Sequence, residues 1–262
     1  LSFGLSIYKS SRQYPLYDRR ATGFEVSLGK NFSEYWGGSI AYNLESVTIE
    51  NVDEDASQFI KDQAGTRVTS SISPTIARDS RDNFLDPSRG SRNALYLTVA
   101  GLGGTNSFVR SVFDSAWFFP WGSTTFSIRG RLGYASGAFG RKLPVYERFY
   151  VGGIYTVRGL GFGEAGPVDD NNEPVGGTKE LIFNFEYIFP LIEEARLKGV
   201  LFFDAGKAFA QSEPMLSLRR TAGFGIRWIS PIGPIRLEYG RNLDPKPYES
   251  NGRIEFTFGT FF

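Results

Sequence analysis

The feature that most constrains this chain is a period of two that persists over long stretches. In 181–189, Phe183, Phe185, Tyr187 and Phe189 alternate with Ile182, Asn184, Glu186 and Ile188. In 221–229, Ala222, Phe224, Ile226 and Trp228 alternate with Thr221, Gly223, Gly225 and Arg227. In 126–134, Phe126, Ile128, Leu132 and Tyr134 alternate with Ser127, Arg129, Arg131 and Gly133. Successive strand residues point to opposite faces, so each stretch reads as a strand with one greasy and one polar or small face. About twelve such segments can be drawn, over 1–10, 20–32, 36–50, 66–80, 92–103, 107–119, 123–135, 179–189, 197–210, 218–230, 233–241 and 252–262. No helical period competes with them. The predicted fold class is all-β, an antiparallel up-and-down β-barrel forming one domain over 1–262.

Strand length separates a membrane barrel from a soluble sandwich. Sandwich strands run to about five or six residues, whereas most of these are ten or longer, enough to cross a bilayer at a tilt. The mean hydropathy of −0.23 suits a barrel in which only every second strand residue meets lipid. Predicted connections alternate in length: 33–35, 120–122, 190–196 and 231–232 are short, while 11–19, 51–65, 136–178, 211–217 and 242–251 are long. Short turns on one side and long loops on the other are usual for outer-membrane barrels. The pair 81–91 and 104–106 breaks the rule. Trp36, Trp117, Trp121 and Trp228 fall near strand ends, as members of an interfacial girdle would, although any one of them could equally be an ordinary strand aromatic.

Composition narrows the function classes. The 262 residues include no Cys and no His. Disulfide frameworks, thiolate metal sites and histidine-based triads are thereby excluded. Lys plus Arg is 29 against 28 for Asp plus Glu, which offers no footprint for nucleic acid. No catalytic residue, metal or cofactor is expected. No leader-like segment opens the chain. Leu1 begins directly in a strand-like pattern, as in a mature, trimmed or fragmentary chain.

The segment 136–178 is too long for an idle connection. Its first half, GRKLPVYERFYVGGIYTVRGLGFGEAGP, is rich in Tyr, Phe and Gly, and the surface available to such a loop is the lumen wall. Its second half, VDDNNEPVGGT, is polar and reads as solvated. Arg158 within the first half needs carboxylate partners once it leaves bulk water. Alternation puts Glu186 and Asp204 on the lumen face. Arg158 is therefore expected to pair with Asp204, Glu186 or both, against the alternative that each charge is solvated in a wet lumen. Gly159 would let the backbone approach the wall. Arg129, Arg131, Arg227, Arg236 and Glu238 read as a mixed-sign wall network, and Asp79, Arg81 and Asp82 as local turn-capping groups.

Several motifs occur in order. Glu147-Arg148-Phe149-Tyr150-Val151-Gly152-Gly153 is followed by Val157-Arg158-Gly159-Leu160. Arg78-Asp79-Ser80-Arg81-Asp82-Asn83 precedes both, and Phe202-Phe203-Asp204-Ala205-Gly206 and Trp228-Ile229-Ser230-Pro231-Ile232-Gly233-Pro234 follow. The chain ends on Phe256-Thr257-Phe258-Gly259-Thr260-Phe261-Phe262. Together these resemble, over essentially the whole length, the BamA superfamily of outer-membrane assembly and translocation barrels.

The resemblance implies an integral protein of the outer membrane of a Gram-negative bacterium that inserts and folds other β-barrels without nucleotide energy, by thinning the bilayer beside a weak seam. Val157, Arg158, Gly159 and Leu160 would form the functional lumen loop, with Glu186 and Asp204 as its wall partners. Ile254, Phe256, Phe258, Gly259 and Phe262 would lie on the closing seam strand, an edge open to strand addition. Implied partners are unfolded β-barrel clients, the bilayer with its lipopolysaccharide, and assembly lipoproteins reached through periplasmic POTRA domains. The family's barrels have sixteen strands, so the first four, like the POTRA domains, are expected to be missing here. A polypeptide-secreting relative is the first alternative, and a passive porin or a lipase-type barrel is the second.

Overall fold

The computed structural model describes residues 1–231, 233–247 and 249–259. These form one antiparallel sheet of twelve strands in sequence order. The strands are β1 (Ser2–Tyr14), β2 (Tyr17–Asn31), β3 (Trp36–Glu50), β4 (Gly65–Asp79), β5 (Gly90–Gly104), β6 (Phe108–Trp121), β7 (Thr124–Gly137), β8 (Lys179–Ile192), β9 (Leu197–Phe209), β10 (Arg219–Ser230), β11 (Gly233–Asn242) and β12 (Gly252–Phe258). One helical turn, α1 (Gln58–Lys61), sits in the β3–β4 connection, and a 3₁₀ turn, Val145–Glu147, in the β7–β8 connection. No helix among the described residues is long and apolar enough to cross a membrane.

The alternation becomes two faces. Phe126, Ile128, Leu132 and Tyr134 of β7 are exposed on the outside, while Thr125, Ser127 and Ala135 are buried within. The same outward row continues through Leu95, Phe113, Phe185, Phe203, Phe224 and Leu237. Strand length is not uniform. Strands β2, β3, β4 and β5 have 15 residues each, whereas β10, β11 and β12 have 12, 10 and 7. At roughly 3.3 Å per residue, the wall shrinks from about 50 Å of strand to about 23 Å at β12. Among the described residues no ladder joins β12 to β1, and both run largely exposed.

The turns assign the two rims. One rim carries the connections 32–35, 80–89, 122–123, 193–196 and 231–232, and the other carries 15–16, 51–64, 105–107, 138–178, 210–218 and 243–251. All four tryptophans fall at the short-turn rim: Trp36 starts β3, Trp117 and Trp121 end β6, and Trp228 ends β10. Their rings are 41–66% exposed on the outside.

Three expectations need correction. The long connection over 11–19 does not exist, because β1 and β2 pair from Ser2↔Gly29 up to Tyr14↔Tyr17, leaving only Pro15 and Leu16 in the turn. The charges of Arg12, Asp18 and Arg19 resemble a loop in sequence, but Tyr14 stacks on Tyr17 at 4.7 Å and Leu16 and Tyr17 are buried beside Ile60 of α1. The connection 51–64 is not wholly irregular, since α1 forms there around buried Ile60. Among the described residues the closing strand spans Gly252–Phe258 and stops short of Gly259, while 260–262 of the expected strand lie outside the described residues. Gly259 turns away at φ +128° while its N–H donates to Pro234 O at 2.9 Å, and Phe262 lies outside the described residues.

The core is the meeting of wall and loop. Phe149, Val151, Val157, Leu160 and Ala165 of the β7–β8 connection are buried against Phe108, Val112, Ala135, Ile182 and Ala208 of the wall. Nearer the long-loop rim, Val145 packs with Leu16, Ile49, Ala56 and Ile60. Backbone bonds fasten the loop ends: Phe149 and Gly177 exchange both of theirs, at 2.9 and 2.8 Å, and Ala208 N–H donates to Ala165 O at 2.7 Å. In the polar second half only the tip near 170–172 is exposed, and Gly176, Gly177 and Thr178 are buried.

Candidate functional site: a loop held in the lumen by an arginine

Arg158 is the largest fully buried side chain, with 2% of its surface exposed. Its backbone N–H and Nε both donate to Asp204 Oδ2, at 3.0 and 2.7 Å, and Nη2 donates to Asp204 Oδ1 at 2.6 Å. Nη1 donates to Glu186 Oε1 at 2.6 Å and to Glu238 Oε2 at 3.0 Å. Asp204 is thus gripped by the flat edge of the guanidinium, a fit that an ammonium could not reproduce. The guanidinium plane also rests over the ring of Phe202 at 3.7 Å.

The carboxylates are shared. Arg227 donates to Glu186 at 2.6 and 3.0 Å and to Glu238 at 2.9 Å. Arg236 donates to Glu238 at 3.1 and 2.8 Å. Three buried guanidinium groups therefore meet three buried carboxylates, and the formal charges cancel. Such a cluster adds little net stability over an apolar one, but removing one member strands a charge. Its value is positional: only one placement of the loop satisfies every partner. Asn184 extends it, donating from Nδ2 to Asp204 Oδ1 at 2.8 Å and to Thr156 O at 2.7 Å.

Strand register makes room for this. Asn184 faces Asp204, which faces Thr221; Glu186 faces Phe202, which faces Gly223, which faces Gly240. A methyl on Gly223 would come within 2.4 Å of the Phe202 ring, so the missing side chain lets that ring lie flat beneath Arg158. A methyl on Gly206 would meet Val157 at 2.9 Å. One strand further, Gly240 accepts the loop backbone itself at Gly159, which adopts φ +85°. Leu160 and Val157 beside it are fully buried.

The loop also reaches the sheet's two edges. Gly159 N–H donates to Glu255 of β12 at 3.3 Å, and the Tyr155 hydroxyl lies 2.8 Å from that of Thr257. On the β1 side, Phe162 contacts Tyr14 at 5.9 Å and stacks on Tyr150 at 4.8 Å. Ile254, Phe256 and Phe258 of β12 face outward, 54–71% exposed, away from the loop.

The structure therefore brings Val157, Arg158, Gly159, Leu160, Glu186 and Asp204 together and leaves the apolar seam residues outside. Sequence reasoning assigned Glu238 to the wall network and missed it as a direct partner of Arg158. It also missed Phe202 and Gly240. The available signal was parity: Phe202, Glu238 and Gly240 all fall on lumen-facing positions near Asp204 in the register. Arg129 and Arg131 lie elsewhere on the wall, pairing with Asp114 at 2.6 Å and with Glu180 at 3.2 Å. Among the described residues no cluster of acidic side chains could hold a metal ion.

An aromatic outer band, a charged interior, short turns at one rim and a folded-in loop define an integral outer-membrane β-barrel. The chain belongs to the Omp85 superfamily, whose domain matches residues 1–262. It is 29% identical over 272 residues to the outer membrane protein assembly factor BamA of Nitratidesulfovibrio vulgaris, covering 100% of this chain and 34% of that protein. It is 27% identical over 316 residues to BamA of Neisseria meningitidis serogroup B, covering 100% of this chain and 40% of that one. The crystal structure of BamA from Haemophilus ducreyi lacking POTRA domains 1-3 superposes with a TM-score of 0.86 at 17% identity, over 98% of this chain and 58% of that one. The chain thus spans between a third and two fifths of the length of these curated relatives, which are named as assembly factors and not as enzymes.

Proposed function

We propose that this barrel belongs to an assembly factor that inserts unfolded β-barrel clients into the outer membrane, acting at the β12 edge and through local thinning of the bilayer. The observation that carries the reading is the decline in strand length to seven residues at β12, an edge of the sheet with no ladder to β1, the other edge, among the described residues. A wall this short presents a narrow apolar band, and lipid beside it must thin to match. An edge with unpaired N–H and C=O groups is also a template for an incoming strand. Ile254, Phe256 and Phe258 would face lipid at that edge, and Gly259 would weaken local pairing and permit a kink there. Val157, Arg158, Gly159 and Leu160 would keep the lumen filled and brace β12 from inside. Bilayer lipid and lipopolysaccharide are the remaining partners of this portion. Lipoproteins would dock on POTRA domains outside the segment described.

The test is the folding of a urea-denatured outer-membrane β-barrel into liposomes that contain the protein, followed by heat-modifiable gel mobility. Faster folding than in protein-free liposomes is expected, with Arg158→Ala reducing the gain several-fold. Equal rates with and without the protein overturn the reading. A secretion pore would instead need an open lumen. Single-channel recordings should therefore show small conductance in the wild type and a clear rise when 140–176 is deleted, whereas large wild-type conductance would favour the pore.

A further inference from the structure

A polar row lies on the outer wall, where the barrel meets lipid. Register places Trp36 opposite Arg78, Arg78 opposite Asn93 and Asn93 opposite Ser115. Arg78 has the parity of Ile76, Asn93 that of Leu95 and Ser115 that of Phe113, and all three apolar neighbours are exposed on the outside at 44–45%. The row is joined by hydrogen bonds. Arg78 Nη1 donates to Ser80 and Ser91 Oγ at 3.2 Å each, and Asn93 Nδ2 donates to Ser91 Oγ at 3.2 Å. Ser115 Oγ donates to Asn93 Oδ1 at 2.6 Å, and Trp117 Nε1 donates to Ser115 Oγ at 3.0 Å. Around it a recess of about 610 Å³ is walled by Trp36, Phe113, Trp117 and Phe119.

Two facts about Arg78 make this more than a polar patch. Among the described residues no carboxylate lies within salt-bridge distance of it. The adjacent Asp79 is held instead by Arg81, at 2.6 and 2.9 Å. The Arg78 Nε and Nη2 groups also make no hydrogen bond among the described residues, the guanidinium lies 5.7 Å from the centroid of the Tyr35 ring, and the side chain is only partly buried. A lipid-facing cation is costly at mid-bilayer and nearly free at the interface, where phosphates can meet it. The tryptophan girdle puts Arg78 at that interface.

We propose that this recess is a phospholipid site. The lipid phosphodiester sits on the Nε–Nη2 edge of Arg78, a bidentate match between planar guanidinium and phosphate. An acyl chain lies along Trp36, Phe113 and Phe119. Short turns face the periplasm in outer-membrane barrels, so the lipid comes from the periplasmic leaflet. The site is independent of client insertion, because it rests on the outer wall and not on the loop or the β12 edge.

Native mass spectrometry of the protein released from phosphatidylethanolamine or phosphatidylglycerol nanodiscs tests this. One retained phospholipid is expected from either, and none from a phosphate-free glycolipid nanodisc. Arg78→Gln should reduce retention at least several-fold, while Arg89→Gln, in the exposed turn beyond, should leave it unchanged. Millimolar inorganic phosphate should not displace the lipid, and displacement would show a free-anion site instead. Equal retention by Arg78→Gln, or equal loss with Arg89→Gln, overturns the proposal. Should Arg78→Gln fail to fold, phosphorus-dephased solid-state NMR of the wild type in bilayers decides it. Dephasing of the assigned Arg78 Cζ signal supports the site, and an undephased signal overturns it.

Discussion

Gly159 of the lumen loop and Gly240 of β11 occupy each other's missing side chains. A methyl on Gly159 would lie 2.5 Å from Gly240 O, and one on Gly240 would lie 2.6 Å from Gly159 N and 2.7 Å from Arg158 C. Loop backbone and wall backbone are in direct contact, which sets the depth at which the Arg158 guanidinium meets its carboxylates.

Gly240→Ala should push the loop off the wall without any backbone strain in β11. A cost of about 1–3 kcal/mol is expected from overpacking. Gly159→Ala adds about 1–2 kcal/mol for a left-handed alanine. Amide exchange over 150–165 should quicken in both variants, and unchanged exchange in Gly240→Ala would show that the contact is slack.

Arg158→Ala and Asp204→Ala should each destabilise strongly, by about 3–5 kcal/mol, because each strands buried charge. The double variant should recover part of that loss, giving a coupling of about 1–3 kcal/mol in a double-mutant cycle followed by urea unfolding. Arg158→Lys should not rescue, since one ammonium cannot reach Asp204, Glu186 and Glu238 together. Additive losses would mean that the pair does not act as a unit.

The β4–β5 turn should depend on pH through Asp82. Burial alone would raise its carboxyl. The Ser88 hydroxyl at 2.5 Å, with the N–H groups of Arg89, Ser88 and Asn83 at 2.9–3.1 Å, outweighs this and holds it below the ordinary carboxylate value. A folded-state pKa below the unfolded one contributes stability that is complete above about pH 4–5 and fades as pH falls through the depressed value. Amide exchange over 80–89, corrected for intrinsic rates, should accelerate in that acidic window. Asp82→Asn should show the faster exchange already at neutral pH and lose the dependence.

Lipids brominated near the headgroup should quench tryptophan fluorescence more than lipids brominated at the chain ends, since Trp36, Trp117, Trp121 and Trp228 share one rim. Stronger quenching from the bilayer centre would contradict the placement of that rim at the interface.

The alternation of Phe183, Phe185 and Tyr187 with Asn184 and Glu186 was enough to separate lipid face from lumen face, because a strand's period depends on nothing beyond the strand. It likewise located twelve strands and put Glu186 and Asp204 on the inside, while the aromatic, glycine-rich composition of 136–178 was what pointed Arg158 inward. Absent His and Cys excluded disulfides, thiolate metal sites and histidine-based triads by composition alone. What the chain could not disclose locally was distance across the sheet. Glu238 lies 80 residues from Arg158, and only the stagger of β8 to β11 brings it to 3.0 Å. Gly240 reads as an ordinary strand glycine until the loop backbone is seen against it. Tyr14 and Tyr17 fell within the expected long connection 11–19, and instead flank a two-residue turn where Tyr17 is buried and Tyr14 half-buried beside α1 and the lumen loop. Arg78 read as part of a turn motif. Its place on the lipid-facing wall, between Trp36 and Asn93, comes from pairing register, which no single strand encodes.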